Sequence, residues 1–139
     1  MVRVVLAAAV AGLLLGACGN GDCSCSPGPG TTPVALAPGF DVMVTDGDRA
    51  VSVTVGQHVE VALAQHSGMT LWGPVRADDA SVLGSAPIGV APPRGYTIAG
   101  FVALKAGTTA VTSTAGAACS PGQACPQFAE LFSVAVTVS

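Results

Sequence analysis

The sequence predicts an all-β domain, an antiparallel immunoglobulin-like sandwich of about seven or eight strands spanning residues 34–139. Three observations predict it. Short β-rich runs with two-residue alternation recur from residue 40 to the end. Turn residues punctuate those runs at close intervals, as in small sandwiches and barrels. Helical periodicity is confined to the first 17 residues, and the remaining length matches a single sandwich of roughly 100 residues.

The elements follow in order. Val42-Met43-Val44 and Val51 to Val55 flank Asp46-Gly47-Asp48, and an Asp-Gly step between two such runs predicts a hairpin. Gly56-Gln57 breaks the chain. Val59, Val61 and Leu63 then alternate with Glu60 and Ala62, which predicts one apolar face. Gln65-His66-Ser67-Gly68 reads as a loop, Thr70-Leu71-Trp72 as the start of a strand, and Ser81-Val82-Leu83 as a brief one. Residues 84–95 hold three prolines and three glycines and read as a long loop. Tyr96 to Leu104 alternates, Lys105-Ala106-Gly107 turns, and Thr108 to Thr114 is β-branched. A loop containing Cys119 and Cys125 leads into Leu131 to Val138, which sets Phe132, Val134, Val136 and Val138 on one face.

The N-terminus carries an address. Arg3 gives a positive start, Val4 to Leu15 is apolar apart from Gly12, and Gly16-Ala17 precedes Cys18. This is the layout of a secretory signal over residues 1–17. The apolar run covers 12 residues, well short of the roughly 20 that cross a bilayer. Leu15-Gly16-Ala17-Cys18 resembles the bacterial lipobox. The resemblance implies cleavage before Cys18 and attachment of diacylglycerol and acyl chains to its sulfur and new amino group. The partner so implied is a membrane. The location is the cell envelope, on the outer side of the cytoplasmic membrane or in the outer membrane according to envelope type. The alternative is an ordinary signal cut near Ala17, leaving Cys18 a free thiol. Cysteine parity favours the lipid: of five Cys, removing Cys18 leaves four, an even number suited to disulfides in an oxidising compartment.

Residues 18–33 are mostly Gly, Ser, Pro, Thr and Cys, with too little apolar surface to bury, and are expected to form a tether. Composition also limits function. The chain has 5 basic and 8 acidic residues, a net charge of −3, and no basic cluster, so nucleic-acid binding lacks electrostatic support. No Gly-x-Ser-x-Gly elbow and no phosphate-binding glycine loop opening a helix occur. The chain reads as non-enzymatic, with no cofactor and no metal site.

Pro121-Gly122 makes a turn that brings Cys119 and Cys125 within disulfide reach. Zinc would need further ligands, and no nearby His supplies them. Cys23 and Cys25 form Cys-Ser-Cys in the tether. An exposed pair without essential role stands there against metal or redox handling, partner pairing or further acylation. His58 and His66 read as surface histidines, Trp72 as a core plug, and Asp78-Asp79 as a solvated turn.

The segment Arg94 to Val111, RGYTIAGFVALKAGTTAV, resembles the corresponding stretch of chagasin-like cysteine-peptidase inhibitors. The likeness extends to Val51–Trp72 and Leu131–Val138. It implies an immunoglobulin-like sandwich and, for the family, three loops wedged into a papain-like cleft. The family's Asn-Pro-Thr-Thr-Gly type loop is replaced here by Gln65-His66-Ser67-Gly68. Its Gly-rich loop is replaced by Ala91-Pro92-Pro93-Arg94-Gly95, and its Arg-Pro-aromatic loop by Ala115 to Phe128, which holds the Cys119/Cys125 pair. No inhibitory residue is therefore carried over.

The main expectation is a membrane-anchored binding or structural sandwich with an envelope or extracellular protein partner. Its candidate contact residues are Gln65, His66, Ser67, Gly68, Pro92, Pro93, Arg94, Pro121 and Gly122. The alternatives are a diverged chagasin-like inhibitor, and metal or redox handling by the Cys-Ser-Cys tether. Intact mass measurement of protein extracted from membranes tests the anchor. The expected mass is that of residues 18–139 plus acyl groups, and an unmodified N-terminus would overturn the lipoprotein reading.

Overall fold

In the computed structural model, which describes residues 33–139, eight strands form two four-stranded sheets, with no helix among the described residues. The signal segment, Cys18, Cys23 and Cys25 lie outside the described residues. The strands are β1 (Val42–Thr45), β2 (Ala50–Val53), β3 (His58–Ala64), β4 (Arg76–Ala77), β5 (Leu83–Ala86), β6 (Tyr96–Ala103), β7 (Gly107–Gly116) and β8 (Ala129–Val138). The first sheet is ordered β1-β3-β6-β5 and the second β2-β8-β7-β4. This is the immunoglobulin arrangement with its first strand divided between the sheets.

The core follows from alternation. Phe132, Val134, Val136 and Val138 of β8 are buried while Leu131, Ser133, Ala135 and Thr137 between them are exposed. Val59, Val61 and Leu63 of β3 and Phe101 and Ala103 of β6 meet them from the other sheet. Burying each such large side chain contributes about 1.5–3 kcal/mol.

The sheets are mixed rather than purely antiparallel. β3/β6, β5/β6, β4/β7 and β7/β8 are antiparallel, but β1 runs parallel to β3 and β2 parallel to β8. The expected hairpin across Asp46-Gly47-Asp48 does not form. The Asp48 carboxylate accepts the Thr45 backbone N–H at 2.7 Å and the Thr45 hydroxyl at 2.9 Å. This turn carries the chain out of the first sheet and into the second, as at the corners of sandwiches. Val44 and Val53 then enter the core from opposite sheets. In those positions β1 covers an edge of β3 and β2 covers an edge of β8, which leaves fewer open backbone groups.

Smaller departures have local causes. Thr70-Leu71-Trp72 does not start a strand; only Met69 makes an isolated bridge, to Ala117. β5 begins at Leu83, where Ser81 was expected to start the run, and extends to Ala86, so the long loop shortens to residues 87–95. β4 is a two-residue strand that its sequence does not announce.

β3 is buried on both faces, not one. Glu60 and Ala62 are as enclosed as the valines between them, because residues 33–41 lie over the outer face of the first sheet. The Ala37 N–H donates to Glu60 Oε2 at 2.6 Å. The Asp41 N–H donates to the His58 carbonyl at 2.9 Å, and the His58 N–H returns to the Asp41 carboxylate at 2.7 Å. Phe40 meets the His58 ring edge-on at 5.8 Å. Glu60 Oε1 is buried without a hydrogen-bond partner, an arrangement that subtracts from stability.

Gly100 of β6 makes this cover possible. A Cβ there would stand 2.6 Å from the Ala86 carbonyl oxygen and 2.7 Å from Phe40 Cζ. A glycine inside a strand marks such a close approach. Gly100→Ala is expected to lower unfolding free energy by about 1–3 kcal/mol in urea denaturation, since backbone and aromatic ring must both move.

Candidate functional site

The three candidate loops leave the sandwich at one end. Ala64 closes β3 opposite Tyr96, where β6 opens, and Gly116 closes β7 opposite Ala129, where β8 opens. The connections 65–75, 87–95 and 117–128 therefore share an end with the β1–β2 turn, because β1 runs parallel to β3. Backbone hydrogen bonds tie them together. The Gln65 N–H donates to the Gly95 carbonyl at 2.7 Å, and the Ala118 N–H to the Gly68 carbonyl at 2.8 Å. The Gln65 side-chain amide also donates to the Met69 carbonyl at 2.7 Å. Gly68 turns with φ of 77°, a left-handed conformation that glycine adopts without a Cβ penalty.

Gln65, Ser67, Gly68, Pro92, Pro93, Arg94, Pro121 and Gly122 are exposed at this end, and His66 is half-buried. Cys119 and Cys125 are joined by a disulfide with Cα atoms 5.5 Å apart. The bond closes an otherwise irregular loop that carries no charged side chain. The edges of two loops are corrected: β5 takes residues 84–86 from the second, and β7 takes 115 and 116 from the third.

Trp72 is the floor of the loop end. It is buried, and its indole N–H donates to the Ala64 carbonyl at 2.8 Å. Its ring meets Phe132 of β8 edge-on at 6.2 Å, and the Thr97 hydroxyl of β6 donates to its carbonyl at 3.0 Å. Trp72 thus plugs the core between both sheets, as the sequence led one to expect.

His66, expected to be an ordinary surface histidine, is half-buried and paired with two carboxylates. Its Nε2 lies 2.7 Å from Asp46 Oδ2 of the β1–β2 turn, and its Nδ1 lies 2.9 Å from Glu130 Oε2 of β8. The ring stands edge-on to Trp72 at 5.7 Å. Hydrogen bonding to Asp46 first, and to Glu130 second, raises its pKa above 6.5, against a smaller opposing effect of burial. Sequence spacing gave no hint, because the partners lie 20 and 64 positions away.

The arrangement limits the chemistry. Both ring nitrogens face carboxylates, so neither is free to activate a hydroxyl. The two carboxylates lie on opposite sides of the ring and do not converge on one point. Among the described residues no group of three or more His, Cys, Asp or Glu is placed to hold a metal ion. Beside this cluster, an open apolar groove of about 230 Å³ runs along the outer face of the first sheet. Pro33, Val34, Ala62, Ala64 and Tyr96 line it, with Asp46 at its wall.

No protein-family model matches the sequence, and no curated protein matches it. Among solved structures the chain is similar to the cysteine protease inhibitor EhICP2 from Entamoeba histolytica. The TM-score is 0.48 at 14% identity, covering 74% of this chain and all of that one (100%). It is also similar to amebosin, with a TM-score of 0.42 at 15% identity, covering 70% of this chain and 97% of that one.

Trp72→Ala is expected to cost about 3–5 kcal/mol, from the cavity it leaves. Trp72→Phe should cost less, losing mainly the bond to the Ala64 carbonyl. Circular dichroism in urea checks both, since the variants remove the only tryptophan.

Proposed function

We propose that this chain is an exported lipoprotein, held to a membrane through Cys18, whose sandwich binds a protein partner with its three-loop end and performs no catalysis. The observation that carries the reading is the joining of loops 65–68, 87–95 and 117–128 by backbone hydrogen bonds at one end. Loops from separate strands, fixed to each other and exposed at their tips, form a composite surface on a rigid scaffold. That is the usual design of a recognition site.

The partner proposed first is a papain-like cysteine peptidase. Two things support it: the resemblance of Arg94–Val111 to chagasin-like inhibitors, and the order of the three loops, which correspond along the sequence to the three that such inhibitors wedge into a cleft. The loop chemistry differs. Pro92-Pro93-Arg94 and a disulfide-closed tip take the place of the family's motifs. The cleft contacts of this chain would therefore be its own.

Two measurements test the reading. Full-length protein in detergent, titrated into a papain-like peptidase, is expected to inhibit at micromolar concentration or below. Arg94→Glu should weaken that inhibition about tenfold, equivalent to 1.4 kcal/mol, with no change in melting temperature. Absence of inhibition at tens of micromolar removes the peptidase as partner. Separately, a photo-crosslinker at Ser67 should label an envelope protein in cells, while one at Lys105, at the opposite end, should not. Equal labelling from both positions would remove the loop end as the binding surface.

A further inference from the structure

The His66 cluster fastens three parts of the chain. His66 follows β3, Asp46 lies in the β1–β2 turn, and Glu130 is the second residue of β8. These belong to both sheets, and the fastening sits directly on the Trp72 ring. We propose that doubly protonated His66 is a pH-dependent clamp that holds the loop end closed and opens when the ring loses a proton.

The geometry requires two donors. Ionised carboxylates only accept hydrogen bonds, and a neutral imidazole has one N–H and one lone pair. With contacts of 2.7 and 2.9 Å to two carboxylates, only the imidazolium satisfies both. Removing one proton sets a nitrogen lone pair against a carboxylate oxygen at hydrogen-bond distance, and that side of the clamp must part. Either parting frees a segment of the loop end. Loss of Asp46 releases the β1–β2 turn, and loss of Glu130 releases the start of β8, where the disulfide loop rejoins the sheet.

The surrounding charges leave the pair of carboxylates in control. On the β1–β2 turn, Arg49 donates to the Asp46 backbone carbonyl at 3.3 Å, and Asp48 is engaged by Thr45. On β6, Tyr96 shares the groove wall with Asp46. Arg94 is the charged residue of the 87–95 loop, and the 117–128 loop has none. Among the described residues, the charged groups that raise His66 are Asp46 and Glu130.

The direction with pH follows. The folded-state value of His66 lies above its ordinary 6.5. The clamp is therefore complete below about pH 6.5 and is lost as pH rises through the raised value. The three side chains are 37%, 32% and 39% exposed, so water screens the pairs. The consequence is local opening of the loop end and not global unfolding.

Full-length protein in detergent, followed by hydrogen–deuterium exchange mass spectrometry from about pH 5.5 to 8.5, tests this without any partner. Exchange at the imidazole C2 carbon should place His66 above its ordinary value, and Asp46→Asn and Glu130→Gln should each lower it. After correction for intrinsic rates, amide protection at residues 65–70 and 117–118 should fall at least about fivefold across that range, while residues 54–57 at the opposite end stay constant. In His66→Gln the pH dependence should vanish. A His66 titrating at or below its ordinary value, or wild-type protection flat across the range, overturns the clamp. One consequence rests on the binding function proposed above: partner affinity should fall with rising pH in the wild type and not in His66→Gln. If no partner binds at any pH, that function fails while the exchange measurement still decides the clamp.

Discussion

The hydrogen bond from the Trp72 indole to the Ala64 carbonyl fixes the end of the sandwich on which the loops are built. It seats a large ring at the mouth of the core, against Phe132 from the opposite sheet. With the ring in place, residues 65–71 must run over it as a short arch. His66 then stands on the ring with its nitrogens pointing outward to two other segments. The loops gain their order from this floor: remove it, and neither the Gln65–Gly95 bond nor the Gly68–Ala118 bond has a fixed anchor.

The other face of the first sheet is governed by a different constraint. β3 presents a carboxylate, Glu60, where a solvated face would put it in water, yet residues 33–41 enclose it. One oxygen is matched by the Ala37 N–H and the other is left without a partner. Burying a half-satisfied carboxylate is unfavourable, and the apolar contacts of Ala37 and Phe40 over the same face offset it. Gly100 provides the depth in which Phe40 rests. The stretch before β1 is thus part of the fold, and only residues further upstream can serve as a tether.

Much of this was legible in the sequence where the signal is local. Alternation along β8 named its four inward residues correctly, and the size and spacing of runs gave the sandwich and its strand number. Cys119 and Cys125, separated by a Pro-Gly turn, announced their bond. Pairing direction was not legible, because alternation tells which side chains face inward but not which sheet a strand joins. Asp46-Gly47-Asp48 carries a hairpin signature, yet Asp48 uses its carboxylate to close the turn on Thr45. Glu60 and His66 escaped for a related reason. Their partners are 23, 20 and 64 positions distant, and no periodicity connects them.

The course of residues 33–41 has a further consequence. Pro33 and Val34 lie beside Ala64, Tyr96 and Asp46, so the polypeptide enters the sandwich at the loop end and not at the opposite one. Fifteen residues separate Cys18 from that point, counting Cys18 itself. Fully stretched, they reach about 50 Å. An acyl anchor on Cys18, as proposed above, would therefore keep the loop end within that distance of the bilayer. A partner, whether resident in the membrane or diffusing up to it, would be met within that reach.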